Sequence, residues 1–157
     1  MEDYKFTITP MNQNKKFCKE DGDENIDKGL YRSLIGCLMY LTATRPNIVN
    51  GVSLLSTYMH CASEIHFQAA KYVIRYVKGT INFGIIIKKT SDFKFHGFSD
   101  SDWVGCSDDM RSTLGYYFSF GSGIFSWCSK KQDVVAQSIV EAEYIAAVLA
   151  MNQVLWI

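Results

Sequence analysis

Four carboxylates set the chemistry open to this chain. Asp100 and Asp102 stand in Phe98-Ser-Asp-Ser-Asp-Trp-Val-Gly105, at the end of a strand-like run. Glu141 and Glu143 stand in the long helical pattern that follows. An acid at a strand end facing an acid on a helix can share Mg²⁺, a hard cation that prefers oxygen ligands. Two such ions can clamp the attacking and leaving oxygens of a phosphodiester. The same residues also admit plainer roles. Ser138-x-x-Glu141 has the spacing of a capping box, in which the glutamate reaches back to a backbone N–H. Asp100 and Asp102 suit a turn in which each bonds its own backbone. Spacing alone leaves these alternatives open.

The elements that must position these acids are legible from periodicity. Leu30, Leu34, Ile35, Leu38 and Leu41 recur at helical spacing, with Asp27 as the expected N-cap. Pro46 predicts a stop near Thr44, because the residue before proline avoids the α region. Pro46 also fits the first turn of a second helix through Ile48, Val52, Leu55 and Met59. Ser63 is the expected cap of a third, with Glu64 in its positive first turn. Phe67, Ala70, Ile74 and Val77 line one face of it, and Gly79 is its expected stop. Before these helices, residues 1–28 are polar and charge-rich, with Lys15-Lys16 followed by Glu20 to Glu24, and read as an irregular tail or linker.

After Gly79 the period changes. Ile81 to Lys88, a turn at Thr90-Ser-Asp92, and Phe93 to Phe98 read as a hairpin. Leu114 to Phe120 and Ile124 to Lys130 read as a second, turned by Gly121-Ser-Gly123. Ser138 to Ile157 is helical and almost wholly apolar, which predicts burial on more than one side. The stripe Glu141, Ile145, Val148, Leu155 would carry Glu141 toward the sheet. The chain stops inside this pattern without a C-cap, which leads us to expect an incomplete domain.

Bulk properties narrow the function classes. The 157 residues allow one domain, or a small domain and part of another. An apolar fraction of 48% excludes wholesale disorder. With 16 basic and 16 acidic residues, any pull on nucleic acid must come from local patches. Lys71, Arg75 and Lys78 form one such patch at i, i+4 and i+7, open to a phosphate backbone or simply to solvent. Lys130 and Lys131, after Trp127, are another, open to a nucleic-acid backbone or simply ending a strand. Trp103, Trp127 and Trp156 read as core or sheet-packing residues. The five cysteines are odd in number and scattered, which argues against a disulfide framework. His60, Cys61 and His66 do not assemble four local ligands for zinc. The polar N-terminus is no signal peptide, and no apolar run is long enough for a membrane. An intracellular chain, cytoplasmic or nuclear, is expected.

Several of these stretches together resemble one family. Leu30-Tyr-Arg-Ser-Leu-Ile-Gly-Cys-Leu-Met-Tyr-Leu-Thr-Ala-Thr-Arg-Pro46 is similar to the Pol polyprotein of Ty1/copia-type LTR retrotransposons, of the kind abundant in plants. So are Ala69 to Thr80, Gly97 to Gly105, Arg111-Ser-Thr-Leu-Gly-Tyr116, Ser126-Trp-Cys-Ser-Lys-Lys-Gln132 and Glu141-Ala-Glu-Tyr-Ile-Ala-Ala147. Thr9-Pro-Met11 fits the stretch that follows the polymerase palm.

The resemblance implies an α+β chain, with a small three-helix bundle followed by a truncated RNase H-like mixed sheet and one long helix. Residues 1–28 would be the tail leaving the reverse-transcriptase palm, and 29–80 the thumb or connection region. Residues 81–157 would be the N-terminal part of an RNase H domain. That domain cuts the RNA strand of an RNA–DNA hybrid with two metal ions. Asp100 matches its first-strand acid and Glu141 its first-helix acid, as ligands of Mg²⁺. The implied partners are an RNA–DNA hybrid and the remaining Pol domains.

This sequence departs from the family pattern. Asn47 replaces the usual Asp after Arg-Pro, and Ile139-Val140 replaces the small or hydroxyl residues usual before Glu141. The further acids of the RNase H site, and the polymerase's own acids, are absent from the chain. Mg²⁺ keeps its waters unless several oxygens converge. Weak or absent Mg²⁺ binding and an inactive chain are therefore expected. The alternative is a non-catalytic binding or interaction module derived from a retroelement, including a co-opted effector-like protein.

Overall fold

The computed structural model describes residues 5–12, 17–19, 22, 24, 26–89, 91, 93–106 and 108–157. The chain is α+β and divides into two compact units, Met1–Gly84 and Ile85–Ile157.

The first unit is helical. Helix α1 spans Lys28–Thr42, and the Asp27 carboxylate accepts from the Gly29 N–H at 2.8 Å. That bond satisfies one of the orphan donors every helix start leaves. A 3-10 turn at Pro46–Ile48 leads into α2, Val49–Ser56. Proline suits this position because the N–H it lacks would have had no partner there. Helix α3 spans Glu64–Gly79 behind Ser63. Ser63 is capped reciprocally by His66, whose Nδ1 lies 2.8 Å from the Ser63 hydroxyl and accepts from its N–H at 3.2 Å.

The inward face of α1 is set by Tyr31, Ile35 and Leu38, and Leu30 is exposed. They meet Ile48, Val52 and Leu55 and, from α3, Ala70, Val73 and Tyr76. Ile35, Leu38 and Ala70 of the expected stripes lie in the core, and Leu34, Leu41, Phe67, Ile74 and Val77 pack against it half-buried; Tyr31, Val73 and Tyr76 take the centre, and Leu30 is left out. Aromatic Tyr31 and Tyr76 fill the interior because their hydroxyls find partners there, Leu55 O at 2.9 Å and the Asn47 amide at 2.6 Å.

The N-terminal segment is irregular in its described part, but it is not free of the helices. Phe17 is buried, and its carbonyl accepts from the Tyr58 hydroxyl at 3.0 Å. Phe6 lies so close to α3 that a Cβ on Gly79 would meet it at 2.8 Å. The apolar residues among the charges are what the helices hold. Lys15-Lys16 and most of the acidic run after them lie outside the described residues.

The second unit is a three-stranded antiparallel sheet with one helix. Strands β1 (Phe95–Ser101), β2 (Thr113–Phe120) and β3 (Gly123–Lys131) follow one another in the order β1-β2-β3. Gly121, at φ 59°, supplies the left-handed residue of the β2–β3 turn. The sheet is therefore not mixed among the described residues. Its connections are too short for the crossover that a parallel pair needs.

The expected first hairpin is not formed. Ile81 and Asn82 continue the turn that ends α3, with the Phe83 N–H donating to Thr80 O at 2.9 Å; Phe83 to Lys89 joins no ladder, and Thr90 and Asp92 of the expected turn lie outside the described residues. Lys88 instead exchanges two hydrogen bonds of 2.8 Å with the Ser122 side chain, and Ile87 lies against Gly123. A β-branched run signals a strand locally, but a ladder needs a partner that the run itself does not specify.

Helix α4 spans Ile139–Val154 and packs on β1 and β2. Its buried stripe is Ala142, Ala146, Ala150, and not Glu141, Ile145, Val148, Leu155. Leu155 is 80% exposed and Trp156 88%, so the helix is buried on one side only. Alanines let the helix axis approach the sheet, while the larger apolar residues face outward. Among the described residues no helix is long and apolar enough to cross a membrane.

Candidate functional site

Strand register fixes where Asp100 stands. Directly opposed residues share a face of the sheet. Phe98 opposes Tyr117, with their rings stacked at 4.8 Å, and Asp100 opposes Gly115. These form one face. Ser101 opposes buried Leu114 and belongs to the other face, where Leu114 and Tyr116 line a groove with Leu149 and Gln153 of α4. Asp100 is thus an exposed acid on β1, an edge strand, with its side chain on the face away from α4.

Asp102 closes the turn after β1. Its carboxylate accepts from the Thr113 N–H, and its own N–H donates to Thr113 O at 3.1 Å. Burial raises its carboxyl above the usual range, opposed by the Thr113 bond and reinforced by the negative charge of Asp100. No Cβ fits on Gly105 without striking this carboxylate. Val104 and Met110 hold left-handed φ of 54° and 56°, uncommon for residues with side chains. The loop is held in that form by Val104 N–H to Ser112 Oγ, 3.3 Å, and by Trp103 Nε1–H to Ala136 O, 3.3 Å.

Glu141 sits in the first turn of α4. Its N–H donates to Ser138 Oγ at 3.2 Å, and its Oε2 accepts from the Gln137 N–H at 2.7 Å. The carboxylate therefore caps the helix, one residue further back than a standard capping box.

Gln132, the last residue of Ser126-Trp-Cys-Ser-Lys-Lys-Gln132, joins the elements that carry the two acids. It is 1% exposed. Its Nε2 donates to Ser101 Oγ at 3.1 Å and to Ala142 O at 2.9 Å. Ser101 follows Asp100 and Ala142 follows Glu141, so one side chain links the backbones that carry both acids. Its Oε1 is buried without a hydrogen-bond partner among the described residues. No group of three or more acidic, histidine or cysteine residues gathers to hold a metal among the described residues.

The basic residues fall apart into different settings. Lys131 Nζ is bonded to Asp109 and to Cys106 Sγ, each at 3.0 Å, and is only partly exposed. Lys130 is exposed and pairs with Asp133 at 3.1 Å. In the first unit, Lys71 Nζ stands 4.0 Å over the Phe67 ring, the Arg75 guanidinium 5.3 Å from the Tyr72 ring, and Lys78 is exposed.

No family profile and no solved structure matches the chain. Curated relatives do. It is 42% identical over 149 residues to the retrovirus-related Pol polyprotein from transposon RE1 of Arabidopsis thaliana, which covers 95% of this chain and 10% of that protein. It is 37% identical over 147 residues to the corresponding polyprotein from transposon TNT 1-94 of Nicotiana tabacum, 92% of this chain and 11% of that one. It is 39% identical over 128 residues to secreted RxLR effector protein 161 of Plasmopara viticola, 81% of this chain and 90% of that one. The chain thus spans about a tenth of the length of the two polyproteins. Over nearly its whole length, then, the chain is homologous to a segment of the retrovirus-related Pol polyproteins of copia-type transposons.

Proposed function

We propose that the second unit is of RNase H lineage and that Asp100 and Glu141 are its remaining metal-facing acids, in a chain with little or no nuclease activity of its own. The observation that supports this reading is an acid near the end of β1 and an acid at the head of α4, on elements that buried Gln132 joins through Ser101 and Ala142. The donors are all oxygen, which fits Mg²⁺ in kind. They do not fit it in number: Asp100 faces away from α4, Glu141 spends one oxygen on its cap, and no third acid joins them among the described residues. Lys71, Arg75 and Lys78 of the first unit, and independently Lys130 and Lys131 of the second, are the residues proposed to meet the backbone of an RNA–DNA hybrid; each of the last two already pairs with an acid of its own unit.

The test uses purified chain, a labelled RNA–DNA hybrid and Mg²⁺, with Mn²⁺ binding followed by electron paramagnetic resonance. We expect no cleavage above an Asp100→Asn control. We expect weak Mn²⁺ binding that Asp100→Asn and Glu141→Gln each reduce. Cleavage lost on Asp100→Asn would overturn the inactivity. Mn²⁺ binding unchanged in both variants would overturn the assignment of the acids.

A second reading, a non-catalytic interaction module, is favoured by the match that spans 90% of a secreted effector. Exposed Val140, Tyr144, Met151 and Leu155 on one side of α4 would be its partner surface. Retained partner binding in Asp100→Asn, lost in Tyr144→Ser, would favour this reading over the first.

A further inference from the structure

We propose that Cys106 and Lys131 form a reversible oxidative cross-link: a peroxide converts the Cys106 thiol to a sulfenic acid, and the Lys131 amine closes on that sulfur to give a sulfur–nitrogen bond. The cross-link is independent of the roles proposed for Asp100 and Glu141.

Three groups are already assembled for it. Lys131 Nζ lies 3.0 Å from Cys106 Sγ, as close as a near-attack contact requires. The Asp109 carboxylate touches both. It accepts from Lys131 Nζ at 3.0 Å through each oxygen, and it accepts from the Cys106 thiol. The backbone holds these groups in place. The Cys106 N–H donates to Arg111 O at 3.3 Å, and the Cys106 carbonyl accepts from the Met110 N–H at 3.0 Å. Asp109 Oδ1 accepts from the Arg111 N–H at 3.3 Å. Lys131 is the last residue of β3 and stands opposite Thr113.

Burial favours closure over further oxidation. A sulfenic acid open to solvent meets a second thiol or more peroxide and goes on to a disulfide or a sulfinic acid. Cys106 is only 3% exposed, so the amine already against its sulfur is the first nucleophile it meets. The way in is through its partners. The Lys131 and Asp109 side chains are 23% and 33% exposed, so hydrogen peroxide that reaches them stands one contact from the sulfur.

Both steps balance. The thiolate is the attacking form of a cysteine, and Asp109 stands to take the thiol proton. The sulfur attacks one peroxide oxygen, the O–O bond breaks, and the departing hydroxide collects that proton as water. The sulfur loses two electrons to the peroxide and becomes the sulfenic acid. In the second step the Lys131 ammonium gives a proton to Asp109, its nitrogen attacks the sulfur, and the S–O bond breaks. The ammonium loses two protons in all. One leaves with the hydroxide as water and the other passes to solvent, so the nitrogen ends uncharged. Two thiols of a reductant reverse the change: one attacks the sulfur and expels the amine, and the second completes the reductant's disulfide. Closure replaces an ion pair between the loop after β1 and the end of β3 with a covalent tie, and it removes the Lys131 charge.

The experiment treats the full chain with hydrogen peroxide, blocks the remaining thiols and maps the peptides by mass spectrometry without reduction. The Cys106 and Lys131 peptides are expected to appear joined, two hydrogen atoms lighter than their reduced sum, and to separate on adding dithiothreitol. Lys131→Arg keeps the positive charge and removes the amine. It is expected to abolish the joined pair and leave a Cys106 sulfenic acid that dimedone traps. Wild-type chain oxidised with dimedone present needs no variant, and there the Cys106 adduct should grow at the expense of the joined pair. Cys106 still reduced when exposed Cys37 is oxidised overturns the proposal. So does oxidised Cys106 in the wild type with no joined pair, or a pair that joins Cys106 to a different lysine. A joined pair heavier by one oxygen atom overturns the sulfur–nitrogen bond.

Discussion

The ammonium of Lys131 lies 3.0 Å from both carboxylate oxygens of Asp109, tying the loop after β1 to the end of β3. Burial alone would raise the Asp109 carboxyl. The bonds from Lys131, Cys106 and the Arg111 amide outweigh it and hold the carboxyl below its ordinary value. Burial likewise works against the Lys131 charge, and Cys106 and Asp109 outweigh it, raising the ammonium. The depressed acid contributes stability that is present above the ordinary carboxylate pKa and lost as pH falls through the folded value. The raised base contributes stability present below its ordinary pKa and lost as pH rises through the folded value. Lys131→Met is therefore expected to cost about 1 kcal/mol at neutral pH, a figure already discounted for partial exposure. The cost should shrink in acid as Asp109 protonates. Urea unfolding at several pH values checks it, and a pH-independent difference between the two proteins would sink the assignment.

Tyr31 offers a second pH test, in the helical unit. Its ring is fully buried, its hydroxyl donates to Leu55 O at 2.9 Å, and burial pushes the phenol above its ordinary value of 10.0. Below that value the phenol is neutral in both folded and unfolded chains and contributes only its hydrogen bond. Above it the unfolded phenol ionises first, so stability falls with rising pH. Tyr31→Phe is expected to lose about 1 kcal/mol at pH 7. The deficit should narrow as pH rises past 10, because only the wild type carries this penalty. Parallel stability curves from pH 7 to 11 would contradict it.

Alanine packing under α4 separates the observed stripe from the expected one. Ala146 is wholly buried, while Val148 is 40% exposed. Ala146→Leu must push the helix off the sheet and is expected to cost about 1–3 kcal/mol. Val148→Ser should change stability by no more than about 0.5 kcal/mol. A reversal of this order in thermal melts would restore the stripe through Glu141 and Val148.

What the sequence conveyed well was local chemistry. Asp27, Pro46 and Ser63 mark helix starts because capping and the missing proline N–H act within a few residues. The Gly121 turn is legible for the same reason. The inward face of α4 was not, because valine, leucine, isoleucine and methionine surround it and hydropathy alone cannot rank alanine as the buried side. Ile81 to Lys88 misled in a similar way, since its strand propensity is local and its pairing is not. Lys131 reads from sequence as a backbone contact or a plain strand end, and only the fold brings Asp109 and Cys106 to it. Gln132 carries no local signal at all, and only the convergence of β1, β3 and α4 gives it a role.

Glu141 supports a last prediction, because its two readings respond differently to the same changes. As a cap, its Oε2 accepts from the Gln137 N–H at 2.7 Å while Ser138 Oγ accepts from the Glu141 N–H at 3.2 Å. Glutamine can still accept the Gln137 bond, and alanine cannot. Glu141→Gln is therefore expected to change stability by no more than about 0.5 kcal/mol, while Glu141→Ala and Ser138→Ala should each cost about 1 kcal/mol. As a metal ligand, the charge is what matters, so glutamine should be nearly as damaging as alanine to Mn²⁺ binding. Helical circular dichroism with melting, set beside Mn²⁺ titration of the same samples, resolves the two. If Glu141→Gln keeps both its stability and its Mn²⁺ affinity, the glutamate is a cap alone. If it keeps stability and loses Mn²⁺, one carboxylate serves both ends, with one oxygen turned to the helix and the other left for the cation.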